Sequence, residues 1–408
     1  MSKRIRTVIS FSLVGFVLSA CGHLEGQSED GLATIRNQLV DSAIVAAGIK
    51  NPRVIASMRR TPRHEFVPPR QRRYAYFDMS LPIGAGQTIS PPYVVAFMTE
   101  QLDPQPGDRV LEVGTGSGYQ AAVLSGLVDE VYTVEIVEAL ALRAARTLHG
   151  LGYENVHTKI GDGYLGWPER APFDKIIVTC SPEDIPQPLV RQLAEGGRII
   201  VPLGERFQQT LYLFRKTGGH LHREALQTTF FVPMTGRAEQ RRRVKPDTAH
   251  PSLAHGSFEQ TVESSSDPAG WYYVRQGRVT ADRNAPDGGN CLAFSNSVPG
   301  RDAHALQSFG VDGRSVRSLE VSLWVRGKGV QPGRGAREQT GVLVSFYGED
   351  RAPVGSEALG PWSGTFGWTH RQARIDVPTN ARLAVIAIGL LGGTGDVAFD
   401  LVEVSRAN

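Results

Sequence analysis

Between about residues 31 and 240 the chain alternates short β-branched runs with amphipathic segments. Apolar residues at helical spacing, such as Leu32, Ile35 and Leu39, predict a helix over 31–47, and a second short helix is expected from Pro52. Strands that alternate with helices need crossover connections, which predict a mainly parallel sheet covered on both faces. The predicted strands are 109–113, 131–134, 155–160, 174–179 and 197–201, and the helices among them are 119–128, 137–151 and 187–195.

A different pattern begins near residue 256. Short apolar runs such as 321–325 and 383–388 are separated by glycine and serine, without a convincing helical period. This pattern is typical of an antiparallel β-sandwich. The expected fold class is therefore α/β, with a Rossmann-like domain over 31–240, a polar linker over 241–255 and a jelly-roll-like β-sandwich over 256–408.

The first 21 residues have the organisation of an export signal. Three basic residues precede an apolar stretch over 8–18, which is too short for the roughly 20 helical residues that a bilayer core requires. The segment ends in Leu18-Ser19-Ala20-Cys21, which resembles the bacterial lipoprotein box, whose cysteine carries the lipid.

This resemblance predicts a lipid-anchored protein that faces the periplasm. We expect a signal peptide and lipobox over 1–21, lipidation at Cys21 and a polar tether over 22–30. Gly22, which is not aspartate, slightly favours the outer membrane. The alternatives are a plain secretory signal and a fortuitous apolar start on a cytoplasmic protein.

Charge and cysteine content exclude several classes of protein. The chain has 44 Lys and Arg residues against 41 Asp and Glu residues, and the first twenty residues hold three of the cations and no acid. The neutral remainder lacks the electrostatic footprint of a dedicated nucleic-acid binder. Its 3 cysteines lie far apart and its histidines lack metal-ligand spacing, so we expect neither a disulfide scaffold nor a metal site.

A glycine loop and two acids follow three successive predicted strands. The first strand leads through Glu112 into Gly114, Gly116 and Gly118, where backbone N–H groups and a helix amino terminus can receive a ligand. Tyr119 occupies the place of the third small residue of a dinucleotide fingerprint, which disfavours a nicotinamide cofactor.

The two acids are Glu135, placed to bind ribose hydroxyls, and Asp162, placed to bind an adenine amino group. Singly, each acid is more often a turn or cap residue. Together with the glycine loop they predict a pocket for an adenosyl cofactor.

The segment from about 49 to 236 resembles the protein-L-isoaspartate O-methyltransferase family. Its most family-specific motif is Gln87-Thr88-Ile89-Ser90, which generic methyltransferases lack. The other matching segments are 75–78, 81–86, 110–120, 161–163, 172–174, 196–204 and 230–234.

The resemblance implies methyl transfer from S-adenosylmethionine to the α-carboxylate of isoaspartyl residues in damaged proteins, which is a repair activity. Ser90 would then align the carboxylate, while Gln87, Thr88, Ile89 and Val232 would contact the peptide.

Three alternatives on single features stay open. Ser90 could instead cap the helix expected from Tyr93, and 230–236 could be a core strand. Cys180 is expected to be a packed residue and not a nucleophile, because no histidine is close in sequence.

The carboxyl-terminal third loosely resembles jelly-roll modules related to carbohydrate-binding domains. Its four tryptophans could form a stacking platform for sugars or could be core residues, so the expected ligand is a glycan or a protein. The rival function for the whole chain is an envelope-anchored binding protein that keeps the methyltransferase fold as a scaffold. The tryptophans are Trp271, Trp324, Trp362 and Trp368.

Overall fold

The computed structural model describes residues 29–263, 265–336 and 338–407. The predicted signal and lipidation site, Cys21 included, lie outside these residues. The described chain divides into a first unit, 29–226 with Phe231–Lys245, and a second unit, Gln227–Phe230 with 246–407. Within the described chain, every helix is too short or too polar to span a bilayer.

The first unit contains seven α-helices and nine strands, and the last three residues of the ninth strand, 227–229, belong to the second unit. The helices are α1 (Glu29–Leu39), α2 (Pro52–Arg60), α3 (Pro92–Leu102), α4 (Tyr119–Ser125), α5 (Glu138–Gly150), α6 (Gln187–Gln192) and α7 (Arg237–Gln240). The strands are β1 (Leu81–Gly84), β2 (Gln87–Ile89), β3 (Arg109–Val113), β4 (Glu130–Glu135), β5 (Val156–Ile160), β6 (Phe173–Val178), β7 (Leu193–Gly204), β8 (Gln209–Thr217) and β9 (His220–Thr229).

A seven-stranded sheet, in the order β5-β4-β3-β6-β7-β8-β9, organises this unit. Strands β3 to β7 pair in parallel, and β8 pairs antiparallel with β7, so the predicted α/β class with a mainly parallel sheet is confirmed. The antiparallel edge was not predicted. Much of β9 is exposed, so it lacks the apolar run that reveals a buried strand.

The centre of the sheet is the core of the first unit. Leu111 on β3, Ile176 on β6 and Ile199 on β7 are each 0% exposed. Burial of such a side chain contributes about 1.5–3 kcal/mol. Because central strands are covered on both faces, they read as continuous apolar runs, which explains why the sequence located them.

The second unit consists of two five-stranded antiparallel sheets, ordered β10-β13-β18-β15-β16 and β11-β12-β19-β14-β17. One apolar cluster takes side chains from both sheets, among them Val344, Ile386, Val321 and Phe399. The strands are β10 (Tyr272–Arg275), β11 (Gly277–Ala281), β12 (Asn290–Asn296), β13 (His304–Gly310), β14 (Ser318–Gln331), β15 (Gly341–Tyr347), β16 (Pro353–Leu359), β17 (Gly364–Asp376), β18 (Leu383–Gly389) and β19 (Thr394–Arg406).

The four tryptophans, for which a stacking platform and core packing were both open, divide between core and surface positions. Trp271 is 0% exposed and packs on Phe258 inside the apolar cluster, while Trp362 packs against that cluster from its edge. Trp324 and Trp368 remain partly exposed. Tryptophan occurs both in cores and on surfaces, so the spacing of tryptophans in the sequence does not predict which of them are buried.

Candidate active site

A cavity of about 840 Å³, counting the space at its mouth, lies at the carboxyl ends of β3, β4 and β6. This is the edge at which parallel α/β sheets bind ligands. Five short segments line it. They are Gln87 to Ser90, Glu112 to Ser117, Val134 to Val137, Thr179 with Cys180, and Phe231 to Thr235.

The glycine loop lets the backbone pass close to the end of β6. Gly114 has φ +101°, and a Cβ there would lie 2.5 Å from Thr179 Oγ1. Gly114 and Gly116 line the cavity, but Gly118 does not. Gly118 has φ +89° at the start of α4, and its Cβ would lie 3.1 Å from Leu148. Its absent side chain therefore serves helix packing.

Glu112 is a fully buried carboxyl group at the cavity wall. Its Oε2 accepts a hydrogen bond of 2.6 Å from Thr133 Oγ1, while its Oε1 is buried and has no partner among the described residues. Burial, followed by the nearby charge of Glu135, raises the pKa of Glu112 to about 8, with the Thr133 hydrogen bond opposing the shift. Glu112 is therefore mainly protonated at neutral pH.

Glu135 is held by backbone donors on both sides of the cavity. Its Oε2 accepts a 2.8 Å hydrogen bond from the N–H of Gly116, and its Oε1 accepts one of 2.9 Å from the N–H of Val137. These bonds join the glycine loop to the end of β4. The carboxylate is only 6% exposed but lines the cavity, so its free lone pairs are available to a ligand.

Both carboxylate oxygens of Asp162 accept hydrogen bonds from backbone N–H groups. Its Oδ1 accepts from the N–H of Tyr164 at 3.0 Å and its Oδ2 from the N–H of Arg237 at 3.0 Å. Gly163 lines the cavity, whereas Asp162 does not. The cap interpretation thus accounts for the observed contacts, and adenine binding by Asp162 stays a prediction.

Ser90 follows β2 and lines the cavity beside Gln87, Thr88 and Ile89. It does not cap α3, whose N-cap is Pro91 with no side-chain cap bond. Instead, Asp78 Oδ1 accepts a 2.8 Å hydrogen bond from the N–H of Tyr93. Capping is therefore assigned to Asp78, and the Ser90 hydroxyl has no hydrogen-bond partner within the part of the chain that the structure describes.

The segment from Phe231 to Thr235 forms another wall of the cavity. It is not a core strand, since its pairing is an isolated bridge between Ser181 and Pro233. The N–H of Ser181 donates to Val232 O at 2.8 Å, which holds Val232 at the cavity. Cys180 also lines this wall, and burial raises the pKa of its thiol, so it is not an activated nucleophile.

Sequence reasoning missed Thr133, Thr179 and Asp78. Thr133 lies within a β-branched run, where threonine is an ordinary strand residue, and only the pairing of β3 with β4 brings it opposite Glu112. Thr179 donates to the carbonyls of Val113 and Gly114, again across neighbouring strands. Among the residues that the structure describes, no group of three or more His, Cys, Asp or Glu side chains could hold a metal ion.

Comparison with known proteins agrees with this geometry. The family model of protein-L-isoaspartate(D-aspartate) O-methyltransferase matches residues 34–239. A protein-L-isoaspartate O-methyltransferase of Opitutus terrae is 53% identical over 201 residues, which are 49% of this chain and 86% of the relative. One of Gloeobacter violaceus is 52% identical over 198 residues, 48% of this chain and 97% of the relative.

A solved structure of a protein-L-isoaspartate O-methyltransferase is similar with a TM-score of 0.46 and 26% identity, covering 67% of this chain and 84% of that chain. The family model alone covers half of the sequence, and the relatives match it along nearly their whole length. The chain belongs to the protein-L-isoaspartate(D-aspartate) O-methyltransferase family.

Proposed function

We propose that this protein transfers a methyl group from S-adenosylmethionine to the α-carboxylate of isoaspartyl residues in damaged proteins. Family membership and the activity for which its relatives are named support the proposal. The main supporting observation is that one cavity is lined by the strand Gln87–Ile89, by Ser90 and by the glycine loop.

The residues present fit an adenosyl cofactor. The cavity lies at the carboxyl ends of parallel strands, where α/β sheets bind nucleotide-like ligands, and it is lined by the glycine loop and by Glu135. The glycine loop and Glu135 would hold the nucleoside part, and Glu112 offers a buried oxygen without a described partner. When bound, S-adenosylmethionine supplies a methyl group on a positively charged sulfur.

The protein's task in this reaction is alignment. A carboxyl group with a pKa of about 4 is already ionised at neutral pH, so the reaction needs no general base. We infer that the Ser90 hydroxyl donates a hydrogen bond to one carboxylate oxygen and leaves the other free to attack. Such positioning can lower the barrier by several kcal/mol. The backbone amide nitrogen of the following residue then attacks the methyl ester and displaces methanol, which closes a succinimide, and water opens this ring partly to normal aspartate.

A transfer assay tests this function. The purified protein is mixed with methyl-labelled S-adenosylmethionine and an isoaspartyl peptide, and the peptide with normal aspartate at the same position is the control. Label on the isoaspartyl peptide alone is expected. Absence of label from both peptides would contradict the proposal and favour the rival function, a binding protein that uses the fold as a scaffold.

We further propose that Cys21 carries a lipid and that the protein faces the periplasm, with the outer membrane preferred. The support is the Leu18-Ser19-Ala20-Cys21 pattern after an apolar stretch. Cell fractionation of the parent and of Cys21→Ala tests it. The parent is expected with the membranes and the variant in the soluble fraction. Recovery of both forms in the cytosol would overturn the proposal.

For the second unit we propose a β-sandwich that carries a ligand-binding surface. The apolar cluster shared by its two antiparallel sheets supports the sandwich. The ligand is either a glycan or a protein. The side chains exposed on the outer face of one sheet decide between these two classes.

A further inference from the structure

Trp324 lies on the face of the β11-β12-β19-β14-β17 sheet that is turned away from the apolar cluster. Its neighbours Leu323 and Val325 are 0% exposed members of that cluster. Successive side chains of a strand point to opposite faces, so the indole of Trp324 points outward. His370 on β17 is its register partner, and the two ring centroids are 5.4 Å apart.

Trp368 and Arg326 occupy the same region and hold each other in place. The Nε1–H of Trp368 donates to Asp282 Oδ2 at 3.2 Å, and Arg326 Nη2 lies 3.1 Å from the same oxygen. The guanidinium of Arg326 lies 5.2 Å from the centroid of the Trp368 ring. The side chain of Asp282 is only 9% exposed, so the carboxylate that holds both Trp368 and Arg326 is shielded from solvent.

The indole N–H of Trp324, by contrast, has no hydrogen-bond partner within the described residues, and the side chain is only half-buried. A buried tryptophan N–H usually finds a protein partner, whereas that of a half-buried indole is left to water or a ligand. Trp324 therefore presents an apolar ring and an available donor together. The side chain of Arg326 is 44% exposed, so some of its remaining N–H groups also reach the surface.

Polar side chains surround these rings. Ser322 on β14 has two exposed register partners, which are Gln372 on β17 and Glu403 on β19. The core of a protein-binding surface is depleted of Lys, Glu and Asp, whereas Glu320, Lys328 and Glu403 are all exposed on this face.

The cations that β14 and β17 place on this face lie beside acids. Arg326 pairs with Asp282. Lys328 is the register partner of Asp396, and Arg374 is that of Glu320. The surface therefore does not favour an anion.

We propose that this surface, formed by Trp324, Arg326, Trp368, His370 and Gln372, is a binding site for a neutral sugar. The apolar C–H face of a pyranose ring stacks on the indole of Trp324. The hydroxyl groups exchange hydrogen bonds with its N–H, with Gln372 and with the exposed N–H groups of Arg326. Trp368 acts on Arg326 as a positioning residue.

Affinity electrophoresis of the full chain tests the proposal. Native gels contain one soluble neutral polysaccharide each, namely xylan, galactomannan or dextran, or the polyanion alginate. We expect retardation by at least one neutral polysaccharide, with an affinity reduced about tenfold or more by Trp324→Ala. Trp324→Phe keeps a smaller aromatic ring, so its affinity is expected to lie between that of the parent and that of Trp324→Ala.

The matched control is Glu320→Ala. Glu320 is exposed on the same face of β14, four residues and about 13 Å along the strand from Trp324, and should leave the affinity unchanged. Methyl transfer and the thermal unfolding midpoint of each variant verify that it is folded. Trp368→Ala is expected to weaken binding less than Trp324→Ala, because it acts through Arg326.

Two outcomes overturn the proposal. One is the absence of retardation by every neutral polysaccharide, whether or not alginate retards the protein, and the other is retardation that Trp324→Ala leaves unchanged. Because methyl transfer is measured separately on the same preparations, failure of this proposal and failure of the proposed enzymatic function are distinguishable.

Discussion

The two units bury a carboxyl group in different ways. Glu112 in the first unit is 0% exposed, and one of its oxygens has no partner among the described residues. Asp400 in the second unit is also 0% exposed, but its oxygens accept hydrogen bonds from the N–H groups of Asp287 and Leu401. Burial raises the pKa of both groups, to about 8 and about 6 respectively.

The difference shows which buried carboxyl group belongs to a ligand site. An unsatisfied buried oxygen costs free energy, so each one in a natural protein calls for an explanation such as a ligand, an ion or an ordered water. Glu112 lines the cavity, where a ligand can satisfy it, whereas Asp400 connects the loop at Asp287 to β19. The buried carboxyl group of the first unit is thus open to a ligand at the cavity, whereas that of the second unit stabilises its own backbone.

The largest expected effect is on catalysis by Ser90→Ala. Loss of the hydroxyl removes the donor that aligns the carboxylate, so kcat/KM for an isoaspartyl peptide should fall by about a hundredfold or more. The unfolding midpoint should not change, because Ser90 has no described hydrogen-bond partner. Initial rates of label transfer measure the effect.

The control for Ser90→Ala comes from the other unit. Ser405→Ala, at an exposed position of β19, should leave the rate unchanged. An unchanged rate in Ser90→Ala would remove Ser90 from the catalytic residues.

The next effect contrasts two carboxylates that each accept from two backbone N–H groups. Glu135 accepts from Gly116 and Val137, and Glu259 accepts from Gly289 and Asn290. Glu135→Gln should raise the Kd for S-adenosylhomocysteine about tenfold to a hundredfold, through loss of charge-assisted hydrogen bonds. Titration calorimetry measures the affinity.

Glu259→Gln should leave this Kd unchanged. It should instead speed amide hydrogen exchange around Gly289, where its carboxylate holds the loop. Equal losses of cofactor affinity in the two variants would show that the contrast between the units is wrong.

A smaller effect concerns the pH dependence of stability. Folded Glu112 keeps its proton up to about pH 8, whereas the unfolded group loses it near 4.5. The unfolded state therefore binds fewer protons across this window, and the free energy of unfolding falls as pH rises, by at most about 1.4 kcal/mol per pH unit. Glu112→Gln should remove this slope in the first unit.

The matched change in the second unit is Asp400→Asn. It should remove a fall in the free energy of unfolding with rising pH, but only between about pH 3.8 and pH 6. These limits are the ordinary and the raised pKa of Asp400. Denaturant unfolding at several pH values, with hydrogen exchange to separate the units, measures both. An equal slope in the parent and in Glu112→Gln between pH 6 and 8 would contradict the raised pKa of Glu112.

The smallest effect is expected for buried hydroxyl groups. Ser345 and Ser356 are register partners on β15 and β16, and neither hydroxyl has a described partner. Ser345→Ala should be neutral or stabilise by up to about 1 kcal/mol, since it removes an unsatisfied group. Thr133→Val should cost about 1–2 kcal/mol, because it leaves Glu112 without its hydrogen bond. A destabilisation by Ser345→Ala as large as that of Thr133→Val would contradict the comparison.

Prediction from sequence succeeded where the pattern is local. The strand Arg109–Val113 was predicted with its observed bounds, and the glycine loop was placed directly after it. It failed where exposure depends on the rest of the fold. The strand His220–Thr229 is too exposed to show an apolar run, and 193–195 was assigned to a helix although β7 begins at Leu193.

The sequence by itself determined the α/β class, the order of the strands along the chain and the residue types at the cavity, because hydrophobic periodicity and short motifs are properties of neighbouring residues. Only the tertiary structure decided that Asp78 and not Ser90 caps α3, that Thr133 bonds Glu112, and that Trp271 is buried while Trp324 faces outward. Each of these depends on which strands or loops become neighbours in space, and pairing across a sheet joins residues that no local pattern connects.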